Sequence, residues 1–208
     1  TLEPIASRCT SPAAPAPHRS IPKRAPRRQF AYFGQITPYK GVLLLCEAAK
    51  LLKERGFKDF HIDIHGHVGE QTEAFQQEFH AAVETVKTHV TWHGRYAPET
   101  MPGLMEQADW VVVPSSWWEN APLVIDEAFA HQRPVICADV GGMAEKVSDG
   151  TNGLHFQRAN TKSLADRLYE AATSPELWQK LVRGIAAPVT RENSAKSHQG
   201  LYRSMMES

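Results

Sequence analysis

The stretch that decides the fold is Val111-Val112-Val113-Pro114-Ser115-Ser116-Trp117-Trp118-Glu119-Asn120-Ala121-Pro122-Leu123-Val124-Ile125-Asp126-Glu127-Ala128-Phe129-Ala130. It opens as a short, wholly apolar run of the kind that sits in a strand buried on both faces. Small and polar residues then form a loop, and a helix begins near Pro122, whose missing N–H and fixed φ suit a first helical position. Strand, loop and helix in this order make one βα unit.

The same unit recurs on both sides. Strands are expected at Gln29 to Phe33, Phe60 to His65, Val90 to His93, Trp110 to Pro114, Pro134 to Ala138 and Leu154 to Phe156. Helical patterns fall between and after them, at Gly41 to Arg55, Glu70 to Lys87, Pro98 to Ala108, Leu123 to His131, Met143 to Val147, Thr161 to Ser174 and Glu176 to Ile185. In the first of these, Leu44, Leu45, Ala48, Leu51 and Leu52 make one stripe at three- and four-residue spacing, which marks a core-facing helix. Such alternation predicts an α/β domain, a Rossmann-like parallel sheet flanked by helices, over residues 29–190.

Outside that span the composition changes. Residues 1–28 hold six prolines and end in the basic cluster Lys23, Arg24, Arg27 and Arg28, and are expected to be an extended linker. Residues 191–208 are expected to be a C-terminal helix or tail. At 208 residues, 42% of them hydrophobic, the chain suffices for one domain with a real core and is a tight fit for two. Its 23 basic and 23 acidic residues balance, which argues against a nucleic-acid partner or an anionic membrane surface. No run approaches the roughly 18 apolar residues of a membrane span. Cys9, Cys46 and Cys137 are widely spaced, and two of them lie in apolar runs as core thiols do, so a cytoplasmic location fits.

The candidate chemistry lies at strand exits. The free amides of Leu123 and Val124, at the start of their helix, would offer an anion two hydrogen bonds and the favourable end of the helix dipole. Glu119 and Glu127 bracket that start. At about 1.5 Å per helical residue they stand roughly two turns apart, too far to share a proton, and would instead grip different ends of one ligand. A nucleoside diphosphate sugar has the required length, with hydroxyls at both ends and phosphates between. Either glutamate alone reads foremost as a solvated surface residue; it is their combination with the loop that favours a site. A second constellation, Tyr32-Phe33-Gly34-Gln35-Ile36-Thr37-Pro38-Tyr39-Lys40-Gly41, runs from strand through a glycine turn to a helix. Gly34 permits close backbone approach, and Lys40 can bring a point charge to phosphates.

These two runs, with Asp139-Val140-Gly141-Gly142-Met143-Ala144-Glu145 and Asp149-Gly150-Thr151-Asn152-Gly153-Leu154 after them, resemble the C-terminal domain of glycosyltransferase family 4, the group 1 glycosyltransferases. The likeness runs in order from about Phe30 to Leu181, and its specific part is the Glu-x7-Glu pair inside Pro-Ser-x3-Glu-Asn-x-Pro. It implies the donor half of a GT-B fold and a retaining transfer of a hexose-type sugar from a nucleoside diphosphate sugar to a hydroxyl acceptor, with no bound metal or other cofactor. By the resemblance, Glu119 would meet the transferred sugar, Lys40 the diphosphate and Glu127 the ribose, with Asn120 and Ala121 further candidates for substrate binding. The base would lie beside Gly94-Arg95-Tyr96 and the loop after Val113, which makes Arg95 and Tyr96 further candidates. The family commonly carries arginine just after the glycine of the first run. Here that position is Gln35, which can donate hydrogen bonds but supplies no charge, so leaving-group stabilisation rests more on Lys40. The implied partner is an N-terminal acceptor domain, in cis or as a second chain, without which this domain should bind donor and scarcely catalyse. Membrane contact would come only through a lipid-linked acceptor. The alternative is a non-catalytic nucleotide-sugar-binding or scaffold subunit.

Weaker signals remain. His61, Asp63, His65 and His67 alternate along one strand and its exit in a way that invites a metal, against which stands the expectation that a central parallel strand is buried on both faces. Gly66 and Gly69 do not complete a Gly-x-Gly-x-x-Gly dinucleotide fingerprint. Trp117 and Trp118 read as core packing, an interdomain contact or an apolar wall for a sugar. Gly141-Gly142 reads as a tight turn or as a pair of amides facing the donor.

Overall fold

A computed structural model describes residues 27–120 and 122–185. The expected linker as far as residue 26, the expected tail at 191–208, Cys9 and Ala121 lie outside the described residues. Six strands form one parallel sheet: β1 (Gln29–Phe33), β2 (His61–His65), β3 (Val90–Gly94), β4 (Trp110–Val113), β5 (Val135–Ala138) and β6 (Gly153–Phe156). Their spatial order is β3-β2-β1-β4-β5-β6. The helices are α1 (Val42–Glu54), α2 (Glu73–Thr85), α3 (Met101–Gln107), α4 (Leu123–Ala130), α5 (Gly141–Lys146), α6 (Thr161–Thr173) and α7 (Pro175–Gly184). This is the Rossmann-like form that the strand-and-helix alternation predicts.

The chain runs outward from β1 to β3 and then returns to β4 on the other side of β1. Right-handed crossovers therefore put α1 and α2 on one face and α4 on the other. Helix α6 comes back to pack on α1, while α4 packs on β4 and β5. Strands β4 and β5 are buried along their whole length, as their unbroken apolar sequences require. Among the described residues no helix is long and apolar enough to cross a membrane. Cys46 and Cys137 are buried free thiols, and burial pushes the Cys46 thiol up to about 12.

Three features differ from expectation for local reasons. Helix α2 starts at Glu73 and not Glu70, because the Thr72 hydroxyl caps it by accepting from the Phe75 N–H at 3.4 Å. The segment after β3 begins with a 3-10 turn at Pro98–Thr100 before α3, with a proline near the start of each piece. Strand β2 is not buried on both faces: His61 and Asp63 are half-exposed, since only β3 lies beyond β2 at that edge.

The end of the sheet opposite the strand exits is clamped by aromatic side chains. Trp178 of α7 is buried and donates its indole N–H to the Asp109 carbonyl at 2.9 Å. The Arg27 guanidinium lies 4.2 Å from the Trp178 ring centroid and pairs with Asp109, and its carbonyl accepts from Trp110. The last residues of the expected linker are thus packed onto the domain.

Candidate functional site

The order of the strands reverses between β1 and β4, and in open α/β sheets ligands bind at the carboxyl ends of the strands at such a switch point. The two loops that leave β1 and β4 are the two constellations singled out above. After β1 the backbone turns at Gly34, whose φ of 145° favours glycine. Its carbonyl oxygen would lie 1.8 Å from a Cβ on Gly66, so the exit of β2 must also be glycine. The buried Tyr32 hydroxyl props this turn from below by donating to the Gln35 carbonyl at 2.6 Å. Gln35 itself is exposed. Lys40 does not open α1. It ends a one-turn 3-10 helix, Pro38–Lys40, set apart from α1 by Gly41 in the left-handed conformation. A Cβ on Gly41 would lie 1.9 Å from the Pro114 carbonyl oxygen, and that close approach brings the two loops together.

Hydrogen bonds fasten them. The Tyr39 carbonyl accepts from the Ser116 N–H at 2.9 Å and from the Ser115 and Ser116 hydroxyls at 3.1 and 3.3 Å. Lys40 Nζ, half-exposed, then stands 2.7 Å from Glu119 Oε1. From the far side the Gly142 N–H donates to the Glu119 carbonyl at 2.7 Å. Of the two readings of Gly141-Gly142, the Gly142 amide is thus directed at the loop. A Cβ on Gly142 would lie 2.2 Å from the Asn120 carbonyl oxygen. Pro122 precedes the first helical residue, in extended backbone, and Leu123 and Val124 are the first two positions of α4, whose N–H groups have no partner a turn earlier in the helix.

Glu127 lies farther along α4. Partial loss of water raises its carboxyl above the ordinary carboxylate range, and the neighbouring Asp126 adds to the shift. Tyr96, after β3, has its phenol pushed up by burial and next by the charge of Glu127 on α4. The Tyr96 ring meets Phe33 and His65 edge-on. Arg95 Nη2 is 2.9 Å from His67 Nε2. The Tyr32 phenol is raised by burial, by Glu119 and by Tyr96, and so stands electrostatically between the two ends of the site.

The histidines of β2 are already engaged. His61 shares a hydrogen bond with Thr91 at 3.0 Å, and Asp63 with His93 at 2.7 Å. His65 stacks between Phe33 and His93. Its imidazole is pulled down by burial and by His93, against the raising effect of Asp63. Among the described residues no three His, Cys, Asp or Glu side chains are grouped to hold a metal ion.

Trp117 and Trp118 are 61% and 65% exposed, which removes core packing from their possible roles. Thr37, Tyr39, Lys40, Trp117 and Glu119 line a cleft of about 300 Å³. A hollow of about 400 Å³ lies at the ends of β5 and β6 beside Asp139, Asp149, His155 and Arg158, away from the switch point. It contains none of the residues that either constellation brings forward.

Sequence reasoning brought forward the charged residues and missed their supports. Tyr32 and the Ser115-Ser116 clamp on Tyr39 had faint signals: a tyrosine in a buried strand just before glycine, and two serines just past an apolar run.

The family profile of the glycosyl transferases group 1 matches residues 15–185. The chain belongs to the group 1 glycosyltransferases. Among curated relatives, the alpha-D-kanosaminyltransferase of Streptomyces kanamyceticus is 30% identical over 155 residues, which cover 74% of this chain and 39% of that protein. The lipopolysaccharide 1,2-N-acetylglucosaminetransferase of Salmonella typhimurium is 33% identical over 154 residues, 71% of this chain and 40% of that one. This group 1 chain therefore spans about two-fifths of the length of these relatives. Among solved structures, HepE from Anabaena in complex with UDP superposes with a TM-score of 0.74 at 20% identity, over 88% of this chain and 49% of that one. The C-terminal domain of a group 1 family protein, LpcC from Francisella tularensis, gives 0.69 at 24% identity over 78% of this chain and 84% of that one. The fold is that of one Rossmann-like half of a GT-B glycosyltransferase.

Proposed function

We propose that this domain binds the donor of a retaining transferase that moves a hexose-type sugar from a nucleoside diphosphate sugar to a hydroxyl acceptor. One observation carries the reading: a lysine from the β1 loop and a glutamate from the β4 loop meet 2.7 Å apart at the switch point, next to the start of α4. In this reading Lys40 and the Leu123 and Val124 amides receive the diphosphate, with the backbone of Gly34 and Gln35 closing on it. Glu119 and Asn120 accept and donate to the hydroxyls of the transferred sugar. Glu127 accepts from the ribose hydroxyls, and Arg95 and Tyr96 border the base. Ala121 belongs to the same loop. HepE, solved with UDP and with UDP-glucose, supports the donor class.

The bond from the anomeric carbon to the phosphate oxygen breaks, and the bond to the acceptor oxygen forms on the same face. The hydroxyl proton leaves on the departing phosphate. Lys40 and the helix amides offset the charge that builds there, so the chemistry needs no metal. The acceptor comes from an N-terminal domain, in cis or on a second chain. Holding a reactant in place can supply up to about 7–11 kcal/mol of barrier reduction, so this domain alone binds donor and scarcely turns over. A lipid-linked acceptor would bring the enzyme to a membrane, and the cytoplasm, where glycoconjugates are built from such donors, is the compartment that fits.

Calorimetric titration with UDP, GDP and ADP tests this. Saturable binding of one nucleotide is expected, weakened roughly tenfold or more in Lys40→Ala and Glu127→Ala, since each removes a charge-assisted hydrogen bond. A folded protein that is silent to all three nucleotides would withdraw the donor-binding reading.

A further inference from the structure

Among the described residues five large hydrophobic side chains stand exposed, and four of them, Tyr39, Trp117, Trp118 and Leu123, belong to the two loops of the switch point and the first residue of α4. Such clustering of apolar surface marks a place where something binds. Two of the four face each other. The Tyr39 and Trp117 rings lie 5.4 Å apart at 56°, tilted and not stacked flat. Their positions are fixed by the backbone: the Tyr39 carbonyl is held by Ser115 and Ser116, and the Ser115 hydroxyl accepts from the Trp117 N–H at 3.3 Å. These rings line the cleft of about 300 Å³ that also contains Thr37, Lys40 and Glu119.

The two kinds of lining suit one kind of ligand. A pyranose has a belt of hydroxyls and two faces of C–H bonds. The Glu119 carboxylate accepts from the belt, while an aromatic wall receives a C–H face and sheds water from it. The volume lies at the lower end of ligand-sized clefts, roughly 300–1,000 Å³, which suits one ring and is too small for a helix of another domain. We propose that Tyr39 and Trp117 form the wall against which the transferred pyranose lies, making them specificity determinants for the sugar of the donor. This rests on the donor-binding reading above and adds to it the side chains that sense the sugar apart from its nucleotide.

The test compares each nucleotide with its sugar conjugate, UDP against UDP-glucose and GDP against GDP-mannose, by calorimetry and tryptophan fluorescence. The 208-residue chain is used as wild type and as Trp117→Ala, Trp117→Phe, Tyr39→Ala and Trp118→Ala. Both Trp117 and Tyr39 are exposed, so their removal leaves the fold intact, which circular dichroism checks. In the wild type the conjugate binds more tightly than the nucleotide and perturbs the fluorescence further. Trp117→Ala and Tyr39→Ala lose roughly three- to tenfold in affinity for the conjugate while the nucleotide binds as before. Trp117→Phe recovers most of the loss, and Trp118→Ala, outside the cleft, shows none. A conjugate no tighter than its nucleotide in the wild type overturns the proposal. So do equal losses on nucleotide and conjugate, and so does an unchanged Trp117→Ala, which would leave the wall to the acceptor or to another domain. In all three cases nucleotide binding persists and the donor-binding reading stands. If no nucleotide binds at all, both fall.

Discussion

Burial raises the Glu127 carboxyl and Asp126 raises it further, which ties one residue to two opposite pH dependences. A carboxyl whose folded value lies above its unfolded one binds more protons when folded in the window between the two. Its contribution to stability is therefore largest below the ordinary carboxylate range, near roughly 4, and declines as pH rises through the raised value. Replacing Glu127 by Gln removes this decline, so in thermal melts the variant should gain on the wild type from pH 4 upward and then hold a constant lead. Ribose hydroxyls donate to the ionised carboxylate, so in the proposed function nucleotide affinity climbs over the same window, and that step should vanish in Glu127→Gln. Parallel melting curves for the two proteins would remove Glu127 as the titrating group. Residues of this kind were legible because charge announces itself in the sequence. Tyr32 was not, because a tyrosine among apolar neighbours reads as core, and its bond to the Gln35 carbonyl depends on the path of the turn after Gly34.

At the scale of elements, the strands fall within a residue or so of their sequence expectation, because an unbroken apolar run such as Trp110–Val113 has only one way to be buried in a parallel sheet. What the sequence left open is how elements touch. Gly141 and Gly142 read in sequence as a tight turn or as amides facing the donor, whereas they are the first two residues of α5. That Gly142 joins α5 to the Glu119 loop follows only from the packing of α5 against the backbone of Glu119 and Asn120. Gly142→Ala would put a methyl group 2.2 Å from the Asn120 carbonyl oxygen, and overpacking of that kind costs about 1–3 kcal/mol. Urea unfolding should register that loss, and limited proteolysis should find residues 117–122 more readily cut. If both stay at wild-type values, the joint does not hold the loop. The helical stretch from Pro98 was legible, but its division was not, for a related reason: the point at which a 3-10 turn gives way to an α-helix is set by local hydrogen bonds.

Across the whole molecule the two ends of the sheet have different duties. The strand exits carry the cleft and the exposed rings, while the opposite end is closed by Trp178, Trp110, Arg27 and Asp109. Truncating a buried tryptophan costs about 3–5 kcal/mol, and for a domain of this size Trp178→Ala should lower the melting temperature by roughly 10 °C. Nucleotide affinity measured well below that temperature should be unchanged, since the clamp lies a strand's length from the switch point. A loss of affinity in step with stability would mean that the two ends are coupled. The doubly wound class was legible from the alternation of patterns. The strand order was not, because nothing local to β1 or β4 records that they become neighbours.

The ion pair between Lys40 and Glu119 has a consequence for what the cleft turns away. The Glu119 side chain is only 17% exposed, so a visitor that draws Lys40 to itself strips a sheltered carboxylate of its counter-charge. An anion with no proton to donate, such as sulfate or chloride, has nothing to offer Glu119 in return and meets that penalty in full. A molecule carrying an anion and hydroxyls on one frame re-partners both groups at once. In the proposed function the cleft is thus a latch with two catches, resistant to aprotic small anions and released by a ligand that fits both.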